Sequence, residues 1–504
     1  MGAETKTKKS FVDKFLNVIE KGGNALPHPA TLFAILALII IVVSGIGSAL
    51  DWSVDFVGIN RKTMKTEEMV IATKSLMSRE GVNYIFTSMV KNFTGFAPLG
   101  TVLVAIIGIG IAERSGLMAA ILKKVALSTP KHLVTVMIIF LGIMSNVASD
   151  AGYVVLPPLA ALVFLSFGRH PIAGLAAAFA GVSGGFSANL LIGTIDPLLG
   201  GISTEAARIL DPAYEVLPTA NWYFMAVSTF LITALGTFIN DKIVEPRLGK
   251  YEGDEKLEFQ EVTPEEKKAL RAAGIATVVV LIALVPLYMA LGKNFLGSGL
   301  VPIIVLFFAL PGLAYGKSIG TIKTDADVMG MLTKSFQGMA GYIVLVFFAA
   351  QFIAYFNYTN LGTILAVKGA DVLQKTGITG IPLIIGFILI VGFLNLFMGS
   401  ASAKWAILAP VFVPMLMRVG YTPEFTQLAY RIGDSSTNII SPLMSYFAMI
   451  IVFMQKYDKK ASLGTLISTM LPYSVTFLVG WSIFLAIWMM TGLPIGPGAV
   501  MRLG

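Results

Sequence analysis

Long uncharged stretches restrict this chain more than any other feature, because they recur along its whole length with basic loops between them. A helix needs about 20 apolar residues to cross a bilayer. Charged residues make up 13% of the 504 residues, whereas soluble domains carry about 25%. Such a chain cannot cover a water-facing surface with polar groups, which excludes soluble, disordered and fibrous proteins. The sequence therefore predicts an all-α integral membrane protein.

Nine stretches, eight of them uncharged, are predicted to be single membrane spans. They are residues 29–50, 93–112, 171–195, 221–240, 272–292, 297–315, 335–358, 424–455 and 468–491. The loops on the side that also receives the basic N-terminus are rich in Lys and Arg. Because cytoplasmic loops carry such an excess, we expect a multi-pass protein of the cell inner membrane with a cytoplasmic N-terminus. The net charge of +8 then requires no nucleic acid as a partner.

Two further stretches are too long for one span and too short for two. Residues 132–168 contain Asp150 as their only charge, and residues 376–417 contain only Lys404. A straight helix of about 37 residues would be about 55 Å long, against a hydrocarbon core of about 30 Å. Both stretches have small polar residues near the middle, and both are predicted to be re-entrant hairpins whose tips are shielded by protein or line a cavity.

An interrupted helix is predicted after each hairpin. Residues 171–197 contain the tract GVSGGFSANLLIGTIDP, and residues 424–455 contain RIGDSSTNIISP. Superposing Asn189 on Asn438 also aligns a glycine and a serine of the two tracts. In the predicted topology the two hairpins enter from opposite sides, so the two halves are inverted repeats. This is the arrangement of secondary transporters with a binding site near the bilayer midplane.

These features divide the chain into seven segments. In order they are a cytoplasmic tail (1–28), the first membrane helix with an external amphipathic segment (29–92), the first inverted repeat (93–245), a cytoplasmic loop (246–271), connecting membrane helices (272–334), the second inverted repeat (335–492) and a C-terminal tail (493–504).

Charged side chains within the bilayer indicate function, because each costs at least about 2.5–3.5 kcal/mol at a helix centre. The candidates are Asp150, Asp196, Lys404, Arg431 and Asp434. Arg431 and Asp434 are spaced as neighbours on one helix face, which favours an internal ion pair between them. A purely structural ion pair is the alternative.

Polar side chains near the breaks offer oxygen atoms, and the broken helices offer free backbone carbonyls. Because hard cations prefer oxygen ligands, these groups favour a Na+ site at one or both junctions of hairpin and broken helix. The predicted ion ligands are Ser145, Asn146, Ser149, Asp150, Asn189, Ser400, Asp434, Ser435 and Asn438. Half-helix N-termini at the same breaks favour anions. With no Cys and three His in the chain, no cofactor is expected beyond this coupling or bound ion. Trp405 either stacks on an aromatic substrate or anchors the hairpin.

The tract GVSGG at residues 181–185 matches the G-x-S-x-G pattern of serine hydrolases. A nucleophilic Ser183 would need a base beside it, and no histidine lies in the interior of a predicted span. An intramembrane serine hydrolase is therefore the least favoured alternative, and the protein is predicted not to be an enzyme.

The sequence resembles the AbgT family, the p-aminobenzoyl-glutamate transporters, along nearly the whole chain. The resemblance is carried by SNVASDAGYVVLPPLAAL (145–162), GTIDPLLGG (193–201), SAKWAILAPVFVPM (402–415) and AYRIGDSSTNIISPLMSYF (429–447). It implies nine membrane helices, two opposed hairpins, a bowl-shaped homodimer and a water-filled inner cavity. It also implies a sodium site in the region of the second hairpin tip and the second broken helix. The functional positions that it implies are Asp196, Ser402, Trp405, Pro423, Arg431, Asp434 and Pro442. We add Lys404 to the predicted substrate-binding residues, because a second cation would suit a substrate with two carboxylates.

The family imports p-aminobenzoyl-glutamate, and some members are described as exporting sulfonamide antimetabolites. We therefore expect a secondary active transporter that moves this small anionic aromatic folate catabolite across the membrane, coupled to Na+ or H+ by alternating access. The alternatives are a proton-driven exporter of sulfonamides and a Na+-coupled dicarboxylate carrier.

Overall fold

The structure is a computed structural model that describes residues 27–59, 66–148, 151–253, 262–295, 299–444 and 446–503. Two predicted ion ligands, Ser149 and Asp150, lie outside the described residues, as does most of the predicted cytoplasmic tail.

The described residues form α-helices and one two-stranded antiparallel sheet. The elements of the first half, in chain order, are α1 (Pro29–Ala49), β1 (Ser53–Ile59), β2 (Thr66–Ala72), α2 (Arg79–Thr94), α3 (Ala97–Arg114), α4 (Leu117–Leu127), α5 (Val134–Ser145), α6 (Ala151–Ser166), α7 (Pro171–Phe179), α8 (Ile195–Ala207), α9 (Trp222–Ile239) and α10 (Glu245–Leu248). Those of the second half are α11 (Pro264–Leu291), α12 (Leu300–Ile319), α13 (Asp325–Gly338), α14 (Ala340–Tyr358), α15 (Leu361–Thr376), α16 (Gly380–Asn395), α17 (Ala401–Arg418), α18 (Pro423–Asn438), α19 (Phe447–Gln455) and α20 (Leu463–Thr491).

Seven helical stretches among the described residues are long and apolar enough to cross a membrane. Each overlaps one of the predicted spans: α1, α2 with α3, α9 with α10, α11, α12, α14 and α20. The two predicted spans that remain, 171–195 and 424–455, are the broken helices, and neither forms a continuous helix. The predicted all-α membrane architecture is therefore confirmed.

Each of the two predicted hairpins folds as a helix, a break and a second helix. In the first hairpin α5 ends in a 3-10 turn at Asn146–Ala148 and α6 follows. In the second, α16 ends at Asn395 and α17 begins at Ala401. The second arm of each hairpin contains two prolines in its interior. The opposite insertion of the two hairpins stays a prediction.

The two broken helices interrupt in different ways. In the first, α7 widens into a π-helix at Ala180–Gly184, the chain is irregular over 185–194, and α8 starts at Ile195. In the second, α18 runs without interruption to Asn438, and α19 starts at Phe447. A π-helical turn leaves backbone groups without their usual helical partners and is frequent at functional sites. The sequence boundary at residue 197 lies inside α8, which continues to Ala207.

The first arm of each hairpin packs directly against its broken helix through a glycine. A methyl group on Gly181 would lie 2.4 Å from the carbonyl oxygen of Ile139, and one on Gly433 would lie 2.5 Å from that of Ile388. Real methyl groups do not approach so closely, so glycine is what allows the backbones to touch, as in other membrane helix pairs. These contacts fix the position of both breaks relative to the hairpins.

The segment that follows α1, predicted to be external, contains a β-hairpin and a helix. Ser53 of β1 lies opposite Ala72 of β2 in antiparallel register. The side-chain amide of Asn360 donates to the Ala72 carbonyl at 2.8 Å, which ties the sheet to the start of α15. Ser78 caps α2 by accepting from the Gly81 amide at 3.0 Å.

Candidate functional site

The two breaks meet in the protein interior. Helix α18 of the second half contacts the irregular chain 185–194 of the first half, and the contacts are polar. Arg431 donates to the carbonyl oxygen of Ser187 at 2.9 Å, and the amide of Ser187 donates to Ser435 Oγ at 3.1 Å. Groups separated by almost half the chain therefore form one buried polar layer.

Arg431 forms an ion pair with Asp196, with 2.8 Å between the guanidinium nitrogen and Asp196 Oδ1. Asp196 lies in the first turn of α8, where a carboxylate is stabilised by the free amides of the helix. Its other oxygen, Oδ2, accepts from the Gly193 amide at 2.8 Å. Both residues are buried, with exposed fractions of 2% for Arg431 and 7% for Asp196. An ion pair thus links the two broken helices.

Asp434 forms a second buried ion pair with Lys404 of the second hairpin, at 2.6 Å between Nζ and Oδ1. The predicted pairing of Arg431 with Asp434 along one helix is wrong, because each of them pairs with a residue on another element. Both Lys404 and Asp434 are 1% exposed. Breaking such a pair would leave an uncompensated charge in the interior, which costs about 3–5 kcal/mol.

Asn395 connects these groups and was missed by the sequence analysis. Its amide nitrogen donates to the Asp434 carbonyl at 2.7 Å and to Asn438 Oδ1 at 2.9 Å, and to Thr437 Oγ1 at 2.9 Å. Its amide oxygen accepts from the Lys404 ammonium. The available signal was a lone amide at the end of an apolar arm, because buried polar side chains in a membrane helix need internal partners.

Trp405 is fully buried and packs within the protein. Its ring stacks on that of Tyr430, with centroids 4.5 Å apart and an interplanar angle of 27°. Its indole N–H donates to Ser203 Oγ at 2.9 Å, and Ser203 donates in turn to Gln427 Oε1 at 2.6 Å. In this conformation Trp405 anchors the second hairpin to α8 and α18. A stacking role toward an aromatic substrate stays a prediction.

The three predicted oxygen ligands of the first half that the structure describes, Ser145, Asn146 and Asn189, lie close together. The side-chain amides of Asn146 and Asn189 donate to the same carbonyl oxygen, that of Ile143, at 3.2 and 3.1 Å. Ser145 is also buried, and its hydroxyl donates back to the Gly142 carbonyl at 2.7 Å. A serine hydroxyl bonded within its own helix keeps lone pairs for a further contact.

The oxygen ligands of the second half are divided between the hairpin tip and α18. Ser400 caps α17 by accepting from the Ala403 amide at 3.3 Å, and its hydroxyl lies 3.4 Å from that of Ser402. Ser435 and Asn438 belong to α18. Ser435 Oγ accepts from the Ser187 amide, and Asn438 Oδ1 accepts from the side-chain amide of Asn395. The two prolines bracket the helix: Pro423 is its first residue, and Pro442 follows its end.

The hydrogen-bond partner of Ser183 is not the base that a serine nucleophile needs. Its hydroxyl donates to the sulfur of Met444 at 3.6 Å. Two of the three histidines, His28 and His170, cap the starts of α1 and α7 by accepting backbone amides at 3.3 and 3.2 Å. Neither is placed to act as a base for Ser183.

A cavity of about 630 Å³ lies apart from the two ion pairs, beside the second arm of the first hairpin. Lys123 and Glu266, an ion pair with a distance of 3.0 Å, form part of its wall, together with Tyr315 and apolar residues of α6. The two buried ion pairs, Arg431 with Asp196 and Lys404 with Asp434, are called the charged layer from here on. This layer is closed to solvent in this conformation, and the cavity lies to one side of it.

Residues 14–503 match the AbgT putative transporter family. The p-aminobenzoyl-glutamate transport protein of Escherichia coli (strain K12) is 41% identical over 97% of this chain and 97% of its own length. Two solved structures are also similar. The Alcanivorax borkumensis YdaH transporter, described as having an unusual topology, is 43% identical with a TM-score of 0.87, over 94% of this chain and all (100%) of that chain.

The second is MtrF of Neisseria gonorrhoeae, whose structure is described as illuminating a class of antimetabolite efflux pumps. It is 49% identical with a TM-score of 0.89, over 96% of this chain and 100% of that chain. The family match and all three relatives span nearly the whole chain and agree with the helical membrane architecture. The chain therefore belongs to the AbgT family of transporters.

Proposed function

We propose that the protein is a secondary active transporter that moves p-aminobenzoyl-glutamate across the cell inner membrane, coupled to Na+ or H+ by alternating access. The observation that carries the proposal is the pair of buried ion pairs, Arg431 with Asp196 and Lys404 with Asp434, at the meeting point of the two breaks. The name of the Escherichia coli relative supplies the substrate.

The substrate suits this charged layer because it carries two carboxylates and an aromatic ring. Each buried cation is neutralised by an aspartate in this closed conformation. A substrate carboxylate can take the place of an aspartate on Arg431, where a guanidinium offers two parallel hydrogen bonds. Exchange of one anion for another avoids leaving a bare cation in the interior, which is the costly step.

Coupling follows from the same exchange of partners. When the substrate holds Arg431 or Lys404, the released aspartate carries an uncompensated negative charge. A Na+ or a proton on that carboxylate restores neutrality, so cation and substrate each favour binding of the other. Asp434 and Asp196 are the two carboxylates in position for this role.

The assembly and orientation belong to the same proposal. The protein is a homodimer with its N-terminus in the cytoplasm, and alternating access moves the charged layer between the two aqueous sides. Inverted repeats with discontinuous helices support such a movement in other secondary transporters.

The test is uptake of labelled p-aminobenzoyl-glutamate into proteoliposomes under imposed Na+ and H+ gradients, applied separately. We expect accumulation that one gradient drives and that Asp434→Ala abolishes. Absence of gradient-dependent flux, together with an unaltered Asp434→Ala variant, would refute the proposal. Unlabelled succinate serves as a control: it competes only if the site takes dicarboxylates in general.

Export of sulfonamide antimetabolites is the second candidate, favoured by the 49% identity to MtrF. It uses the same layer, with the sulfonamide ring in place of the aminobenzoyl ring and H+ as the counter-ion. Flux measured in inverted and right-side-out vesicles separates the two functions. Export predicts accumulation of the sulfonamide in inverted vesicles only when their interior is acidic.

A further inference from the structure

An apolar cavity of about 260 Å³ lies beside the break of the first broken helix. One of its walls is the irregular chain at Leu190, Leu191 and Ile192, and the others come from the start of α9 and from α11 and α12. Trp222 of α9 lines the cavity and holds this wall in place, because its indole N–H donates to the Leu190 carbonyl at 2.9 Å. None of the four charged side chains of the charged layer lines this cavity. The cavity is therefore a separate apolar space at the same break.

The cavity and the charged layer are held by the same short piece of chain. Ser187, whose carbonyl accepts from Arg431, lies three residues before Leu190. Gly193, whose amide donates to the Asp196 carboxylate, directly follows the cavity wall. Three residues of extended chain span at most about 11 Å. Between the ring nitrogen and the α-carboxylate of p-aminobenzoyl-glutamate lie the ring, one amide group and one carbon atom. One molecule of this length can therefore reach both places.

The size and lining of the cavity suit a single substituted aromatic ring. A cavity of about 150 Å³ lined by Leu, Ile and Phe admits benzene, whereas complete drug-sized ligands occupy about 300–1,000 Å³. The walls opposite the irregular chain are aliphatic and aromatic and include Ile303, Phe307 and Phe308 of α12. Aromatic side chains of this kind stack on a bound ring or contact it edge to face. A volume of about 260 Å³ thus fits the ring of a substrate but not the whole molecule.

One lining residue offers a free hydrogen-bonding group to the cavity. Thr219 is only 1% exposed, and among the described residues no donor or acceptor reaches its Oγ1. Thr229, a buried threonine of α9, instead donates its hydroxyl to the Met225 carbonyl at 3.1 Å. Buried hydroxyl groups normally have a partner, because leaving one unpaired is unfavourable. Thr219 therefore indicates that a polar group of a ligand completes the lining.

We propose that this cavity binds the 4-aminophenyl group of the substrate, with the amine donating to Thr219 Oγ1 while a substrate carboxylate takes Arg431. This inference rests on the proposed transport function. A 4-aminophenyl group has one polar atom at the end of an apolar ring, which matches one unpaired oxygen in an apolar wall. The amine of such a ring is uncharged at neutral pH, so its burial leaves no bare charge.

The same group occurs in both candidate substrates of the protein. p-Aminobenzoyl-glutamate and the sulfonamide antimetabolites each carry an amine on the ring, opposite the carbonyl or sulfonyl group. Thr219 is therefore a specificity-determining residue for either direction of transport. A lipid acyl chain is the other ligand that suits an apolar cavity within a membrane. It has no donor for Thr219 Oγ1, which favours the arylamine.

Equilibrium binding to the purified full-length protein in nanodiscs tests the cavity without relying on transport. Labelled p-aminobenzoyl-glutamate is displaced by its unlabelled form or by benzoyl-glutamate, which lacks only the amine. We expect the wild type to prefer the amine about three- to tenfold, the range of one hydrogen bond. Thr219→Val keeps the shape of the side chain, and the preference should fall to about onefold. The Tm should stay or rise, because no hydrogen bond within the protein is lost.

Three further variants complete the test. Thr229→Val is the matched control, since it removes a buried hydroxyl of α9 that does not line the cavity. It should keep the preference, as should Thr219→Ser, which retains a hydroxyl. Leu191→Trp fills the cavity from a lining position whose side chain is partly exposed, at 42%. Because the ring then has no space, we expect the half-saturating concentration of p-aminobenzoyl-glutamate to rise at least about tenfold.

An unchanged preference for the amine in Thr219→Val would overturn the proposal and leave the cavity to a lipid chain. Should that variant fail to fold, Leu191→Trp decides, and wild-type affinity in it counts against the cavity. Gradient-driven uptake measured on the same preparations separates the two proposals. Binding and uptake that are insensitive to Thr219 defeat only this inference, whereas a wild-type protein that neither binds nor accumulates p-aminobenzoyl-glutamate defeats the proposed function.

Discussion

The guanidinium of Arg431 lies 2.8 Å from the carboxylate of Asp196, and this ion pair connects the broken helix of one half to that of the other. Because both groups are buried, their interaction is much less screened than that of surface charges. The contact joins residues 235 positions apart in the sequence.

Removal of either partner of this pair should destabilise the protein. Arg431→Gln leaves the Asp196 carboxylate buried without a cation, and we expect a loss of about 3–5 kcal/mol, visible as a lower Tm. The double variant Asp196→Asn/Arg431→Gln should recover part of this loss, because no bare charge remains. Thermal unfolding of the purified protein measures both.

The control for this experiment is Glu205→Gln, which breaks the partly exposed pair of Glu205 with Arg208 at 3.1 Å. The charge left behind is the Arg208 guanidinium, whose side chain is 38% exposed and open to water. Exposed pairs contribute at most about 1 kcal/mol, so this variant should unfold close to the wild-type Tm. An equal loss of Tm for the two pairs would contradict the prediction that the buried pair of Arg431 with Asp196 contributes more to stability.

Neutralising the second pair should separate its structural from its transport role. Lys404→Met and Asp434→Asn each leave one buried charge without a partner, so both should lower stability and uptake. The double variant restores neutrality and should regain stability, while uptake stays at least about tenfold below wild type because the exchangeable charges are gone. A stable double variant with normal uptake would show that the pair only holds the fold together.

Substitutions of Trp405 should act through packing. Trp405→Phe preserves the stack on Tyr430 but leaves Ser203 without the indole donor, which costs about 1–3 kcal/mol. Trp405→Ala removes the ring and should cost about 3–5 kcal/mol. If Trp405 instead contacted substrate in this conformation, Trp405→Phe would raise the half-saturating substrate concentration without changing Tm. Parallel Tm and uptake measurements distinguish the two cases.

Alanine should not be tolerated at the glycines where hairpin and broken helix touch. A methyl group at Gly181 or Gly433 would overlap a carbonyl oxygen at 2.4 or 2.5 Å. Overpacking of this kind costs about 1–3 kcal/mol and should also shift the break that carries the site. We expect a lower Tm and impaired uptake for Gly181→Ala and Gly433→Ala.

Gly274→Ala serves as the opposite case in the same assay. No atom lies within 4 Å of a methyl group at this position in α11. Alanine is a better helix former there by roughly 0.5–1 kcal/mol, so the Tm should stay or rise. A uniform loss of stability at all three glycines would count against the close-contact explanation.

The local order of apolar and charged residues was enough to predict the membrane spans, the two hairpins and the two interrupted helices. This succeeds because a bilayer imposes a length and a polarity on each segment independently of its neighbours. The sequence also identified four candidate site residues, because charged residues are easily recognised within apolar stretches. They are Asp196, Lys404, Arg431 and Asp434.

The partners of those charges were decided by the tertiary structure alone. The spacing of Arg431 and Asp434 favoured a pair on one helix, yet the fold brings Asp196 to one and Lys404 to the other. The sequence left open whether Trp405 anchors the hairpin or faces a substrate. The lone amide of Asn395 in an apolar arm indicated a need for internal partners but not which residues they are. Ion pairs and hydrogen bonds depend on distances of a few ångströms between elements. Those distances arise from how the hairpins pack against the broken helices, and the order of residues along the chain does not contain them in any local pattern.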